Sequence, residues 1–334
     1  MPQGQLAHVL RGVIGDVDDR LLVGPTTVDD AGVVSLGTAA GFDRELSLAL
    51  VQTVDYFPPV VDDPYFYGAI AAANSLSDVY AMGGRPYTAL NLAGFPKDFP
   101  DDWMQAIFRG GFDKVKESGA VVAGGHTVQS KEAQFGFAVT GFVDRARVSA
   151  NAGAQVGDVL YLTKALGMGT MTTAGMRGEL DWTAMIPAAE QMAMLNGLAA
   201  EAMTAAGVDA ATDITGFGLA GHAKNIASAS GVTLRIHSAE LPIFPGAREL
   251  ATAGCISGAS ARGRAALEGL VVTAQGMDET LAKIVYDAET SGGLLIAVSA
   301  DHAAVLEREL AARDQLVRTI GEVVPHGDAW VEFD

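Results

Sequence analysis

The stretch Asp55–Gly84, DYFPPVVDDPYFYGAIAAANSLSDVYAMGG, decides how the rest of the chain is read. It joins the end of a strand, a proline-rich turn, a capped helix and a glycine stop. Residues 48–54 (LALVQTV) are mostly apolar and bounded by polar residues, which predicts a buried strand. Asp55 stands at its C-terminal end, either as a turn residue or as a ligand. Pro58 and Pro59 keep the next segment out of helix. Asp62 or Asp63 supplies an N-cap, and Pro64 fits the first helical turn. The helix is predicted to run to about Ala81, with Gly83 and Gly84 as its stop. Ile70, Asn74 and Asp78 recur every four residues and share one face. That face is either a solvated polar stripe or a set of paired or metal-bound groups, because an Asn and an Asp are costly to bury alone.

The chain has 334 residues, long for one core, so two domains are expected, split near residue 150 (1–150 and 151–334). No apolar run is long enough to span a bilayer, and no signal peptide is recognisable. A single cysteine, Cys255, rules out an internal disulfide and suits the cytoplasm. The net charge of -18 argues against a nucleic-acid surface, which needs a basic stripe, and favours divalent cations where acids cluster.

Outward from the opening stretch, residues 5–13 read as a short amphipathic helix carrying His8, and 21–24 as a short strand. Asp29 and Asp30 form a polar turn running into a strand at 32–36. Strands are expected at 87–94 and 134–143, with a helix near 101–117 whose first turn holds Asp101 and Asp102 as the helix dipole favours. Residues 120–123 read as a buried strand ending in Gly124-Gly125-His126-Thr127, glycines that form a plain turn or let backbone N–H groups approach a ligand. Strands mixed with two long helices make this half α+β.

After a polar, glycine-bearing boundary at 145–157, VLYLTK opens a new strand and 187–206 reads as one long helix, its methionines core packing. Asp213 precedes Thr215, Gly216 and Gly218 where another helix begins, and such a helix start is a natural anion site. GCISGASARGR reads as a loop with a structural Cys255. Asp287 to Gly293 forms a turn entering a buried strand, followed by a helix and final strands.

No Walker A loop occurs. Gly216–Gly221 (GFGLAG) matches G-x-G-x-x-G with Glu240 some way on, but the preceding DAATDIT is too polar and short for a dinucleotide fold's first strand. No His or Cys spacing supports zinc, and His126 and His222 are lone histidines. What remains is Asp30, Asp55, Asp78 and Asp213, with glycine loops at 124–125, 216–218 and 292–293. Carboxylates brought together raise each other's pKa unless cations intervene, and Mg2+ bridging phosphates onto few carboxylates is the usual solution. Phosphoryl transfer needs mainly positioning and charge neutralisation, which this equipment fits.

LLVGPTTVDDAGVV, ALVQTVDYFPPVVDDPYFYGAIAAANSLSDVYAMGGRP, VVAGGHT, TDITGFGLAGH and ETSGGLL, in this order, closely resemble the selenophosphate synthetase (selenide, water dikinase) family, from about Leu6 onward. The first and last are shared more loosely with aminoimidazole ribonucleotide synthetase, thiamine-monophosphate kinase and hydrogenase maturation dehydratase. The resemblance implies a two-domain α+β fold whose N-terminal sheets pair into a barrel in a homodimer. It implies that ATP, selenide and water give selenophosphate, AMP and phosphate. Carried over by motif, Asp30, Asp78 and Asp213 hold Mg2+, and Asp55, with Asp78, also contacts the nucleotide side. Thr27, Val28 and Asp29 line the nucleotide, as do Gly125, His126 and Thr127, the latter three possibly from the partner subunit.

One departure matters. The family carries a glycine-rich N-terminal segment with a reactive Cys or selenocysteine and a Lys three residues later, whereas here the first Lys is Lys97 and Cys255 lies in another motif. The catalytic pair is therefore expected upstream of Met1; if its first member is selenocysteine, that codon would be read as a stop. The present polypeptide is expected to bind Mg-ATP but make little product. Smaller departures are Val28 and Ala165. The competing readings are a small-molecule kinase of the same superfamily and a catalytically dead ATP-binding homologue.

Overall fold

The computed structural model describes residues 18–24, 29–41 and 43–334. The helix expected over 5–13, with His8, and the candidate residues Thr27 and Val28 lie outside the described residues.

The strands β1 (Leu21–Val23), β2 (Gly32–Ser35) and β3 (Leu48–Phe57) lead into helix α1 (Pro64–Ala81). Then come β4 (Arg85–Phe95), α2 (Asp101–Glu117), β5 (Val121–Gln129) and β6 (Gln134–Asp144). The six strands form one sheet in the order β1-β2-β3-β6-β4-β5, antiparallel except for the β4–β5 pair. Helix α1 starts where the sequence predicts. Asp63 Oδ1 accepts the Phe66 N–H at 2.9 Å, and Pro64 occupies the first turn. Gly83 ends it with φ +73.

Every residue of α1 from Tyr67 to Ala81 is buried. The helix lies between the inner face of the sheet, α2 and the second half of the chain, so the Asn74 and Asp78 stripe is not solvated. Two glycines allow this depth. A Cβ on Gly68 would sit 1.9 Å from the Ile107 carbonyl oxygen, and one on Gly110 1.9 Å from that of Tyr65. Backbones in such contact cannot give way cheaply, so Gly110→Ala should destabilise the protein by about 1–3 kcal/mol. Urea unfolding measures this, and an unchanged midpoint and slope would contradict the close crossing.

The second half begins with β7 (Val159–Leu162), α3 (Met168–Met176), α4 (Trp182–Ala193), α5 (Gly197–Ala206), β8 (Ala210–Asp213) and α6 (Gly218–Ser230). It continues through β9 (Val232–Ile236), α7 (Ala247–Thr252), α8 (Gly258–Ala266), β10 (Val271–Thr273) and α9 (Glu279–Val285). It closes with β11 (Leu294–Val298), α10 (Ala300–Ala311), β12 (Arg318–Pro325) and β13 (Val331–Phe333). Seven strands form a second sheet in the order β10-β13-β9-β12-β7-β11-β8. One apolar cluster joins the halves, with Leu76 and Val79 of α1 in the same core as Met203, Ile296 and Leu306. The fold is thus α+β with two sheets, as expected.

Four local expectations are corrected. The strand expected to end at 123 runs on to Gln129, through Gly124 and Gly125, and it is an exposed edge rather than a buried strand. A Cβ on Gly125 would lie 2.2 Å from the Asn91 carbonyl oxygen, so this glycine serves the approach of β4 and β5. The single helix over 187–206 is two, broken at Met194–Asn196, because tertiary bonds draw that backbone out of helix. The Met194 carbonyl accepts from Lys164 Nζ at 2.7 Å, and the Asn196 amide donates to Ser77 Oγ at 2.8 Å and to the Gly292 carbonyl at 2.9 Å. The loop expected over GCISGASARGR contains α8, capped by Ser257, whose Oγ accepts the Ala259 N–H at 3.1 Å. Finally, residues 210–213 do form a strand, fully buried, before the glycines of GFGLAG. It is an edge strand antiparallel to β11, and that pairing is what excludes a dinucleotide-binding βαβ unit.

Candidate active site

The four aspartates come from four separate elements and converge where the halves meet. Asp55 lies on the inner face of β3, one alternation from Thr53. Asp78 faces it from α1 and accepts a hydrogen bond from Thr53 Oγ1. Asp30 precedes β2, and its Oδ1 accepts from Thr212 Oγ1 at 2.8 Å. Asp213 ends β8, is 1% exposed, and among the described residues neither of its carboxylate oxygens has a hydrogen-bond partner of normal geometry. Asp29 stands next to Asp30, its Oδ1 accepting the Asn151 N–H at 2.6 Å.

The electrostatics show how closely the acids sit. Burial, then the charges of Asp213, Asp55 and Asp30, push Asp78 well above the usual carboxylate range. Burial and the Asp213 charge push Asp55 up to about 7, against the pull of the Asn74 hydrogen bond. Asp30 is raised well above its ordinary value by burial and then by Asp213. Burial raises Asp213 to about 6, with Ser77 and Lys164 acting in the other direction. Four carboxyl groups in mutual repulsion, one with both oxygens unpaired, form an all-oxygen donor set suited to a hard divalent cation. The residues present therefore fit Mg2+.

His222, expected to be a lone histidine, is brought to the same place. One of its ring nitrogens lies within 4.8 Å of a carboxylate oxygen of Asp30 and of Asp213. Its Nε2 accepts the Thr215 N–H at 3.2 Å, and Nδ1 faces Thr212 Oγ1 at 3.4 Å. The ring thus holds Thr212, which in turn bonds Asp30. Burial pushes its pKa down to about 4, so it is neutral here.

Lys164 was not singled out by its sequence. It is 2% exposed, donates to the Met194 and Ser291 carbonyls at 2.7 and 3.0 Å, and burial lowers its pKa to about 7. Nothing in TKALGMG marks it, because its burial depends on elements far along the chain. The glycines at 292–293 also read differently. A Cβ on Gly293 would sit 2.4 Å from the Lys164 backbone nitrogen, and one on Gly292 2.3 Å from the Ile214 carbonyl oxygen. They serve packing against Lys164 and β8 rather than a ligand cradle. Cys255 is structural, as expected: it is buried, with Sγ 3.0 Å from Glu179 Oε2.

Gly125, His126 and Thr127 are not brought to the aspartates within one chain. Asp55 pairs with Phe137, Phe137 with Asn91, and Asn91 with Gly125, so Gly125 is three strands away, about 14 Å.

The profile of the AIR synthase related protein N-terminal domain matches residues 28–143, and that of the C-terminal domain matches 155–332. Among solved structures, the thiamine-monophosphate kinase of Stenotrophomonas maltophilia K279a shares the fold at TM-score 0.69 and 20% identity, over 95% of this chain and 92% of that one. The selenide, water dikinase of Caldanaerobacter subterraneus subsp. tengcongensis is 47% identical over 91% of this chain and 86% of its own length. Selenide, water dikinase 2 of Peptoclostridium acidaminophilum is 43% identical over 96% and 90% respectively. With such identity along nearly the whole chain, and the motif aspartates gathered at one point of an AIR synthase-like fold, this chain belongs to the selenide, water dikinase family.

Proposed function

We propose that this chain uses ATP to phosphorylate selenide, the γ-phosphoryl group passing to selenide and the β-phosphoryl group to water, with release of selenophosphate, AMP and phosphate. The observation that carries the reading is the convergence of Asp30, Asp55, Asp78 and Asp213, with Asp213 unpaired, in a member of this family. Asp30, Asp78 and Asp213 are the residues that would hold Mg2+, and Asp55, beside Asp78, faces the nucleotide. When bound, the cation supplies neutralisation of the polyphosphate charge. The chain's own part is to hold these carboxylates fixed. Thr53 and Thr212 orient Asp78 and Asp30, and His222 stands behind Thr212. Thr27, Val28 and Asp29 line the nucleotide in this reading.

Gly125, His126 and Thr127 reach the nucleotide from a second copy. Supporting this, β5 is an exposed edge that pairs on one side only among the described strands. The neighbouring strands also leave Val54, Tyr56, Tyr87 and Leu90 exposed, a face that pairing of two sheets into a barrel would cover. In this reading the chain works as a homodimer of two-domain subunits, divided near residue 150.

Phosphorus NMR of the protein with ATP, Mg2+ and selenide tests the reaction. Selenophosphate, AMP and phosphate are expected in equal amounts, only when selenide is present, and in small yield, because the Cys or selenocysteine and the Lys of the family motif are not in this chain. ADP as the sole nucleotide product would make the chain a small-molecule kinase of the same fold. Nucleotide binding without turnover would make it a binding homologue.

A further inference from the structure

Asn74 joins the two halves at the acidic cluster. Its side-chain Oδ1 accepts the Ser291 N–H at 3.1 Å, and its Nδ2 donates to Asp55 Oδ2 at 2.7 Å. The orientation of this amide is set by its partners. A backbone N–H can only donate, so Oδ1 must face Ser291, and the NH2 group is left facing a carboxylate oxygen. Asn74 is 6% exposed, so neither bond is shared with bulk water.

The donor at Ser291 is itself held. Ser291 has φ +52, a left-handed conformation unusual for a residue with a side chain. Its carbonyl accepts from Lys164 Nζ at 3.0 Å, and the next carbonyl, of Gly292, accepts from the Asn196 amide at 2.9 Å. A strained turn pinned by a buried lysine on one side and an asparagine on the other is a rigid place from which to fix an amide. The Asp55 backbone is fixed separately by α1, since Ser75 Oγ donates to its carbonyl at 3.0 Å. What Asn74 adds is the direction of the Asp55 carboxylate.

We propose that Asn74 is a positioning residue: locked by the Ser291 N–H of the second half, it aims the Asp55 carboxylate of the first half at the acidic cluster. The cation and nucleotide site is then complete only while the two halves are docked. This rests on the reading that the cluster binds divalent cations. Asp55 stands beside Asp78, one of the carboxylates that would hold the cation, so its direction shapes that neighbour's surroundings. Groups that orient the shell around a metal typically contribute 10–100-fold to metal affinity, and a loss of about 10-fold is expected here.

The test is Mn2+ binding to the whole protein, followed by calorimetry, with thermal unfolding measured in parallel. Asn74→Leu keeps the branched shape and removes both bonds, and it should weaken Mn2+ binding about 10-fold or more. Asn74→Ser should do the same if the leucine variant does not fold, because a hydroxyl cannot span Ser291 and Asp55. Ser149→Ala breaks another polar bridge between the halves, the Ser149 Oγ bond to the Val208 carbonyl at 2.9 Å, without touching Asp55 or the turn at Ser291. It should lower the unfolding temperature yet leave Mn2+ affinity within about twofold. Equal loss of affinity in Ser149→Ala and Asn74→Leu would mean general loosening of the contact and overturn the positioning role. Wild-type affinity in both Asn74 variants would overturn it too. A wild-type protein that binds no Mn2+ would overturn the cation-site reading itself, a result distinct from either.

Discussion

Asp213→Asn should lower turnover by about 10²–10³-fold, and at the same time make the metal-free protein more stable. Both effects follow from one geometry. Asp213 is buried with neither oxygen hydrogen-bonded, and its charge is the first-ranked charge acting on Asp30, Asp55 and Asp78. Removing that charge leaves the other three less repelled, and the amide NH2 gains carboxylate acceptors close by. A gain of about 1 kcal/mol would raise the unfolding temperature by about 1–2 °C in a chain of this size. For activity, a neutral amide oxygen is a poorer partner for a divalent cation, and loss of one preorganised electrostatic group typically costs 10²–10³-fold in kcat. Scanning calorimetry in EDTA and a selenide-dependent AMP assay measure the two sides. A variant that is both less stable and fully active would show that Asp213 is a structural acid and place the cation elsewhere.

The opposition of stability and function at Asp213 explains which parts of the molecule could be read from sequence. Strand β3, the proline turn and helix α1 were legible because each signal is local: an apolar run, Pro58-Pro59, a capping Asp63 and a stopping Gly83 act within a few residues. The acids were legible as candidates because each stands at or near the end of an element or faces into one. Their meeting was not, since β2, β3, α1 and β8 are far apart in the chain, and only the family resemblance joined them. His222 and Lys164 escaped for the same reason. A histidine on an apolar helix and a lysine after a strand look ordinary until β8, the 287–293 turn and the α4–α5 break close around them. The misread elements are also tertiary in origin. The break at Met194–Asn196 answers to Lys164, Ser77 and Gly292, and strand β5 continues through two glycines because β4 runs alongside it. Local propensity is overridden where backbone groups find distant partners.

The metal-free protein should lose stability as pH rises from about 4 to about 7, and Mg2+ should return progressively more of it over the same range. Asp213 and Asp55 are raised in the folded state to about 6 and about 7, and Glu289, buried against the first turn of α3, to about 8. Asp30 and Asp78 are raised well above the ordinary value. In the unfolded chain these groups release their protons near pH 4. Across the interval the native state therefore holds more protons than the unfolded state, and stability falls with pH by up to about 1.4 kcal/mol per pH unit for each extra proton held. Below about pH 4 both states are protonated and the contribution is fully present. His222 acts in the opposite sense. Its folded value of about 4 lies below the unfolded one, so it favours folding as pH rises, but it is one group against several acids. Lys164, lowered to about 7, adds stability only above that pH, which is why the clear window ends there. The acids interact, so their protons leave as a coupled set and the decline is gradual rather than stepped. A divalent cation binds the deprotonated cluster, so its stabilisation grows as protons depart. The share of the slope due to Glu289 should persist in Mg2+, because its carboxylate is spent on the Gly167 and Met168 N–H groups at 2.7 and 2.8 Å. Unfolding temperatures measured from pH 4.5 to 7 in EDTA and in Mg2+ separate these contributions. A flat or rising curve in EDTA, or a Mg2+ gain that shrinks as pH rises, would mean that the four aspartates do not share one charge-repelled site.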